Sequence, residues 1–232
     1  MQVAGVKRLI AAALKAGSKT LSEYDSKRVL AAYGVPITRE RLVSNVGTAR
    51  DAARRIGYPV VLKGCAAEMM HKTDAGLVAV GLSSPKDLTL AFKVLSERAG
   101  SNFDGAFLVQ EMVKGDRELM IGMTRDEQFG PSVMFGLGGI FTEILEDVSF
   151  RLAPLRMTDA GEMMSEIKAS KILNEMRGLP KVDRRILARA IIGVGRAAVD
   201  NPEIAEIDIN PLIVAGSKPL AVDGLIVLGS LK

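Results

Sequence analysis

Aromatic residues and cysteine are scarce in this chain of 232 residues, which has no Trp, three Tyr, seven Phe and one Cys. Proteins that bind single-stranded nucleic acid stack bases on aromatic side chains among basic ones, so this composition and a net charge of +4 argue against a nucleic-acid partner. A single cysteine, Cys65, cannot form an internal disulfide bond and favours a reducing compartment. We therefore expect a cytoplasmic protein.

Long apolar runs are also missing, and a helix that spans a bilayer needs about 20 consecutive apolar residues. The run from Val6 to Leu14 is similar to the apolar part of a signal peptide, but Lys15 interrupts it and no convincing small-residue cleavage site follows. We interpret residues 1–19 as an amphipathic helical extension and expect no membrane partner.

Helical and strand patterns mix along the chain and predict an α/β fold. The main expected helices cover residues 23–33, 49–56 with Thr48 as the N-cap, 84–99, 159–166 and 183–200. The expected strands cover residues 58–63, 77–82, 107–113, 117–124, 132–136, 149–154, 205–210 and 220–223. A division near residue 108 gives an N-terminal lobe at 20–108 and a C-terminal lobe at 109–232.

His71 is the only histidine, so chemistry that needs a nitrogen nucleophile near neutral pH must use it or import one. A hydrogen-bonded bystander is the alternative. Lys63 ends an apolar strand, where a cation is costly unless it is paired or faces a cleft. A phosphate would remove that cost, and a lysine that reaches solvent from the strand end is the alternative.

The loop Gly136-Leu137-Gly138-Gly139 follows a strand, and its backbone N–H groups can approach an anion because no Cβ intervenes. It matches neither a Walker A loop nor a dinucleotide fingerprint, and an ordinary turn is the alternative. Glu143, Asp147 and Arg151 could bind a metal or position a phosphate, with exposed ion pairs as the default interpretation.

The segment 206–212 carries polar side chains at every second position, as expected for one face of a strand. These side chains are Glu206, Asp208 and Asn210, and they alternate with Ile207 and Ile209. Their hard oxygen atoms suit Mg²⁺, and Asp223 on a neighbouring strand can add another oxygen. A solvent-facing strand edge is the alternative.

In this order the segments resemble the nucleotide-binding subunit of ADP-forming acyl-CoA (acetyl-CoA) synthetases, ATP-grasp relatives of succinyl-CoA synthetase. The resemblance covers nearly the whole chain and rests on residues 21–36, 57–63, 71–76, 136–143 and 206–212. It implies an ATP-grasp fold whose two lobes enclose a nucleotide. One departure is Ala75-Gly76, where many relatives have two glycines.

The resemblance also implies roles for individual residues. Lys63 would contact nucleotide phosphate, so its replacement should weaken affinity and barely change stability. Glu118 would bind the ribose hydroxyls, and His71 matches a histidine that is transiently phosphorylated. The other nucleotide-binding residues would be Glu111, Met112 and Val113, through backbone contacts to adenine, with Gly138 and Gly139. Magnesium would be bound by Asn210 and Asp223, with Asp208 close by.

The implied reaction is the reversible conversion of acyl-CoA, ADP and phosphate into acid, CoA and ATP, with transfer from phosphohistidine to ADP on this chain. The expected partner is an alpha subunit that carries the CoA and acyl sites and a second phosphohistidine, in an α₂β₂ assembly. A self-contained ATP-grasp carboxylate–amine ligase is the alternative enzyme. A nucleotide-sensing subunit is the non-enzymatic alternative, but a sensor needs no nucleophile.

Overall fold

The structure is a computed structural model that describes residues 1–67, 76–101, 103–139 and 147–229. Its helices are α1 (Val3–Lys15), α2 (Glu23–Ala32), α3 (Val46–Ile56), α4 (Pro85–Ala99), α5 (Met157–Glu166) and α6 (Arg184–Asp200), with a 3₁₀ helix at Ser170–Leu173. Its strands are β1 (Glu40–Val43), β2 (Val60–Cys65), β3 (Val78–Leu82), β4 (Ala106–Glu111), β5 (Glu118–Asp126), β6 (Gly130–Leu137), β7 (Val148–Leu152), β8 (Ile204–Ala215), β9 (Lys218–Ala221) and β10 (Leu225–Leu228).

The chain divides into two compact units. The smaller unit consists of Ser22–Tyr24 and Thr38–Met112, and the larger one consists of Met1–Leu21, Asp25–Ile37 and Val113–Lys232. The predicted lobe division at residue 108 falls inside β4, and the structure places the division after that strand has ended.

The smaller unit is built on a four-stranded antiparallel sheet in the order β1-β4-β2-β3, against which α3 and α4 pack. Side chains alternate along β2, so Val60 and Leu62 enter the core formed with the helices, and Lys63 leaves the strand on the other face. Helix α3 begins with a capping box in which Asn45 Oδ1 accepts the Thr48 N–H at 2.9 Å. The prediction of Thr48 as the N-cap was therefore wrong, because Asn45 occupies that position.

The larger unit contains an antiparallel sheet in the order β10-β8-β5-β6-β7, with β9 paired to β8. Helix α6 begins where the Asp183 carboxylate accepts two backbone N–H groups, and its apolar stripe is buried in the core with residues of β5 and β6. Val6 and Ile10 of α1 belong to the same core. The expected extension at residues 1–19 thus packs as part of this unit.

The mixture of helices and antiparallel sheets confirms the α/β prediction, and most predicted elements are present. Strands β1 and β10 were not predicted. Strand β8 continues through Pro211 to Ala215, beyond the predicted end at Asn210. Over the described ranges, no helix combines the length and the apolar character that crossing a membrane requires.

Candidate functional site

A pocket of about 440 Å³ lies beside the end of β6 in the larger unit. Two apolar side chains, two carboxylate side chains and three glycines line it: Leu137, Ile172, Asp116, Glu118, Gly115, Gly138 and Gly139. Three of the residues predicted to bind nucleotide, Glu118, Gly138 and Gly139, therefore lie together. Apolar walls with a few polar groups, in a volume of about 300–1,000 Å³, are typical of small-molecule sites.

Gly138 is required by the close approach of two backbones. A Cβ atom at this position would lie 2.6 Å from the carbonyl oxygen of Leu119 on the neighbouring strand. The Gly138 N–H donates to the carbonyl oxygen of Glu118 at 2.9 Å, so it is already used within the sheet. This N–H is therefore not among the loop N–H groups that could approach an anion, and Gly138 contributes a backbone surface to the pocket. Its role in nucleotide binding stays a prediction.

Gly139 connects the pocket to the polar face of β8. Its φ of +66° is in the left-handed region, and a Cβ atom here would overlap the carboxylate of Glu118. Its N–H group lies 3.4 Å from Oδ1 of Asn210. The glycine loop and one predicted magnesium ligand are therefore neighbours.

The alternation predicted for β8 is present. Glu206 and Asp208 are exposed and Asn210 is half-buried, while the intervening Ile207 and Ile209 are buried. The polar side chains thus form one face of the strand, as period-2 geometry requires.

Asp223 lies in the segment between β9 and β10. The strand predicted at 220–223 is present as β9, but it covers Lys218–Ala221 and ends before Asp223. One oxygen of the Asp223 carboxylate accepts the N–H of Gly224 at 2.8 Å. Two residues later, Leu225 pairs with Asp208 across the β8–β10 ladder, so this carboxylate lies near the polar face of β8.

Negative charge accumulates around Asp208. Partial loss of water around its carboxyl group, together with the charges of Asp223 and Glu206, raises the pKa of Asp208 to about 6. Each of these causes disfavours the ionised form. A bound cation would reverse their effect, because it would be attracted to the same carboxylates.

The donor set suits Mg²⁺ by its chemistry: the carboxylates of Asp208 and Asp223 and the amide oxygen of Asn210 are hard oxygen ligands. The described ranges contain no group of three or more His, Cys, Asp or Glu side chains arranged to hold a metal. Mg²⁺ at nucleotide sites is commonly bound by one or two carboxylates and keeps phosphate and water oxygens as its other ligands, and these side chains fit that mode of binding.

Lys63 forms a buried ion pair within the smaller unit. Its Nζ lies 2.8 Å from Oε1 of Glu23, and the two side chains are 9% and 0% exposed. The alternative in which the ammonium group of Lys63 reaches solvent is therefore wrong. The proximity of a carboxylate explains how the strand tolerates a cation, and the phosphate contact stays a prediction.

In the segment 111–113, the first two backbone N–H groups form hydrogen bonds within the described part of the chain and the third does not. The N–H of Glu111 donates to the carbonyl oxygen of Arg39, and the N–H of Met112 donates to that of Pro59. The Glu111 carboxylate is also engaged, because it accepts the Arg39 N–H at 2.6 Å and Nε at 2.7 Å. Val113 takes part in no hydrogen bond among the described residues. The side chain of Glu111 therefore has a structural role.

Four further candidates from the sequence are placed as follows. His71 and Glu143 lie outside the described residues. Asp147 is buried and its carboxylate accepts the N–H groups of Lys168 and Ala169, at 2.6 and 2.7 Å. Arg151 pairs with two glutamates of α5, Glu162 and Glu166, and these contacts raise its pKa. A metal or phosphate role for Asp147 or Arg151 is therefore not supported by their contacts.

Ile172 and Asp116 are pocket residues that sequence analysis missed. Ile172 comes from the segment after α5, more than thirty positions from the glycine loop, and no motif marks it. Asp116 lies in the turn before β5, and its proximity to the predicted Glu118 was the only available signal.

The sequence matches the ATP-grasp domain family over residues 12–228. It is 41% identical over 231 residues to the beta subunit of acetate–CoA ligase (ADP-forming) I of Pyrococcus furiosus, an alignment that covers 98% of this chain and 99% of the relative. It is 43% identical over 206 residues to acetate–CoA ligase (ADP-forming) I of Archaeoglobus fulgidus. That alignment covers 87% of this chain but only 30% of the longer protein.

Among solved structures, a selenomethionine derivative of dinucleotide-forming acetyl-coenzyme A synthetase 1 of Ca. Korarchaeum cryptofilum superposes with a TM-score of 0.85 at 42% identity. The match covers 97% of this chain and all of that one. That structure contains coenzyme A and Mg-AMPPCP, and its phosphohistidine segment points towards the nucleotide binding site. The sequence match, the end-to-end relatives and the shared fold together show that this chain belongs to the ATP-grasp family.

Proposed function

We propose that this chain is the nucleotide-binding subunit of an ADP-forming acyl-CoA synthetase of the acetate–CoA ligase type. It transfers a phosphoryl group from phosphorylated His71 to ADP and so forms ATP as acyl-CoA is converted to acid and CoA. The observation that carries the proposal is the pocket at Glu118, Gly138 and Gly139, in a chain that aligns end to end with the beta subunit of such an enzyme.

The nucleotide is bound by backbone and side-chain groups of different kinds. The backbone of 111–113 recognises adenine, and the N–H of Val113 is the group that the described hydrogen bonds leave for this purpose. The Glu118 carboxylate accepts hydrogen bonds from the ribose hydroxyls, and Lys63 contacts a phosphate. Leu137 and Ile172 supply the apolar walls of the pocket.

Asn210, Asp223 and Asp208 would hold Mg²⁺, which would supply neutralisation of phosphate charge during transfer. A cation at these residues would also remove the repulsion that raises the pKa of Asp208. Asn210 also accepts a hydrogen bond from the Gly139 N–H. This bond connects the proposed metal ligand to the wall of the pocket.

His71 acts as the phosphoryl carrier. In the forward direction the P–N bond of phosphohistidine breaks, a P–O bond to the terminal phosphate oxygen of ADP forms, and the imidazole leaves with the electron pair of the broken bond. An imidazole suits this role because it is a good nucleophile and a good leaving group near neutral pH. The surrounding residues supply positioning and charge neutralisation.

The chain works with an alpha subunit that binds CoA and the acyl group and carries a second phosphohistidine, in an α₂β₂ assembly in the cytoplasm. Support comes from the relative of which this chain covers 30%, since that single protein has room for both subunits. The comparisons do not favour the self-contained carboxylate–amine ligase.

The direct test is incubation of the purified chain with Mg·ATP labelled at the γ-phosphate. We expect acid-labile label on wild type and none on His71→Ala, because phosphohistidine is stable in base and hydrolyses in acid. Binding of Mg·ADP by both proteins serves as the control for folding. A wild-type chain that binds Mg·ATP but acquires no label would contradict the carrier role.

A further inference from the structure

Arg117 is almost completely buried, with 2% of its surface exposed, just before β5. Its Nη1 donates to the carbonyl oxygens of Ile172 and Asn174, at 3.3 and 3.5 Å, and its Nη2 donates to those of Pro180 and Gly216, at 2.8 and 2.7 Å. Over the described ranges, the hydrogen-bond partners of its guanidinium group are all carbonyl oxygens. A planar guanidinium spreads five donors over three nitrogen atoms and can reach carbonyl groups that lie apart, whereas the three donors of a lysine share one nitrogen atom.

Three of these four carbonyl groups belong to the segment 168–182, whose only helix is the short 3₁₀ helix at Ser170–Leu173. The segment is anchored at its beginning by the Asp147 carboxylate, which accepts two of its N–H groups. Near its end, the N–H of Val182 donates to the carbonyl oxygen of Leu173 at 3.0 Å. In its middle part, Met176 and Leu179 exchange two backbone hydrogen bonds, and the guanidinium group of Arg117 ties the carbonyl groups on either side of this turn to the beginning of β5.

Ile172 joins this anchoring system to the pocket. Its carbonyl oxygen accepts a hydrogen bond from Arg117, and the same residue lines the pocket together with Glu118 and the glycines. We propose that Arg117 is a positioning residue for nucleotide binding: by holding the backbone of 172–180, it keeps the Ile172 wall of the pocket in place. The inference rests on the proposed function, because it takes the nucleotide to be the occupant of this pocket.

Arg125, at the other end of β5, provides a matched control. Its Nε donates to the carbonyl oxygen of Ile204 at 3.0 Å, and its Nη2 donates to those of Ala198 and Asn201, at 2.7 and 3.4 Å. The two arginines therefore make the same kind of contact within one unit. They differ in that no partner of Arg125 lines the pocket.

The experiment measures the Kd of Mg·ADP by isothermal titration for wild type, Arg117→Lys, Arg125→Lys, Ile172→Ala and the double variant Arg117→Lys with Ile172→Ala. All proteins are measured at one temperature, well below the lowest Tm among them, so that every chain is folded and lost stability alone does not change the result. We expect Arg117→Lys and Ile172→Ala each to raise Kd about tenfold, and the double variant to be no weaker than the worse single one. Arg125→Lys should leave Kd unchanged.

An unchanged Kd for Arg117→Lys would overturn the inference. So would an equal rise for Arg125→Lys, or additive effects in the double variant, because each would mean that Arg117 does not act through Ile172. If wild type itself failed to bind Mg·ADP, the proposed function would fail as well, which distinguishes the two outcomes.

A second measurement needs no variant and remains informative if Arg117→Lys does not fold. Hydrogen exchange of the backbone amides in 170–176 is followed in the wild-type chain with and without Mg·ADP. We expect slower exchange when Mg·ADP is bound, since the nucleotide packs against this wall. Equal exchange rates, at a concentration that saturates the chain, would show that the segment is not part of the nucleotide site.

Discussion

Lys63 of the smaller unit and Asp208 of the larger unit are both ionisable side chains on strands. Lys63 lies beside a charge of opposite sign, whereas Asp208 lies near charges of the same sign as its own. Lys63 is buried 2.8 Å from a carboxylate oxygen of Glu23, so opposite charges meet inside the protein. Asp208 is exposed, and the two charges that act on it, from Asp223 and Glu206, have the same sign as its own. The opposite charges at Lys63 attract each other, whereas the like charges around Asp208 disfavour its ionised form.

The ion pair of Lys63 and Glu23 is expected to stabilise the fold, whereas the carboxylates around Asp208 are expected to bind a cation. Breaking a buried ion pair leaves one charge without its partner and should cost stability even when no ligand is present. Bringing a cation to a group of carboxylates should instead relieve repulsion. The following variants test the two descriptions, in order of decreasing expected effect.

Lys63→Met should have the largest effect on stability. It leaves the carboxylate of Glu23 buried without the ammonium group, and breaking one partner of a buried pair costs about 3–5 kcal/mol. The buried ion pair thus replaces the expectation from the sequence, that replacing Lys63 barely changes stability, with an expected loss of stability. Denaturant unfolding measures the effect, and the double variant Lys63→Met with Glu23→Gln should recover much of it. A single variant as stable as wild type would show that the pair does not stabilise the fold.

Asn210→Ala combined with Asp223→Ala should weaken Mg·ADP binding by about 3 kcal/mol, or roughly a hundredfold, because two oxygen ligands of the metal are removed. Isothermal titration with and without Mg²⁺ measures the loss. Asp51→Ala, at an exposed residue of the smaller unit, is the control and should bind as wild type does. If the double variant bound Mg·ADP with wild-type affinity, the metal assignment would be wrong.

Asp208→Asn should have the smallest effect and should stabilise the metal-free chain. The folded-state pKa of about 6 lies above the ordinary value of 3.8, so ionisation of Asp208 opposes folding as pH rises through this interval. Near pH 8 we expect a gain of about 1 kcal/mol at most, after allowance for solvent screening. Near pH 4, where the carboxyl group is largely protonated in the folded state, the gain should disappear.

Thermal unfolding of wild type and Asp208→Asn at both pH values, in the presence of a chelator, measures this change. Saturating Mg²⁺ should remove the advantage of the variant, because the ion stabilises the wild-type carboxylate. A variant less stable than wild type at high pH would contradict the repulsion.

Local patterns were sufficient to predict much of this molecule. The alternation around Asp208 predicted its strand face, and Ser84-Pro85 predicted the beginning of α4, because N-cap and N1 preferences act within a few residues. Strand β1 was not predicted, since its four residues gain their place by pairing with β4, sixty and more positions away. Pairing at that distance leaves no local signal.

The candidate site follows the same rule. Residues in recognisable segments, such as Glu118 and Gly139, were predicted and lie in one pocket. Ile172 and the buried partner of Lys63 were not, because tertiary packing brings them into place. Glu23 stands forty positions before Lys63, and neither residue indicates the other in the sequence.

The most direct test of the central claim, that His71 carries the phosphoryl group, is ATP formation by this chain assembled with its alpha subunit, acyl-CoA, phosphate and Mg·ADP. We expect His71→Ala to assemble and to bind Mg·ADP, yet to lower ATP formation to background, with labelled phosphate retained on the alpha subunit alone. Loss of one orienting hydrogen bond would cost only about 10²- to 10³-fold. Substantial ATP formation by His71→Ala, or a wild-type complex labelled only on the alpha subunit, would contradict the carrier role.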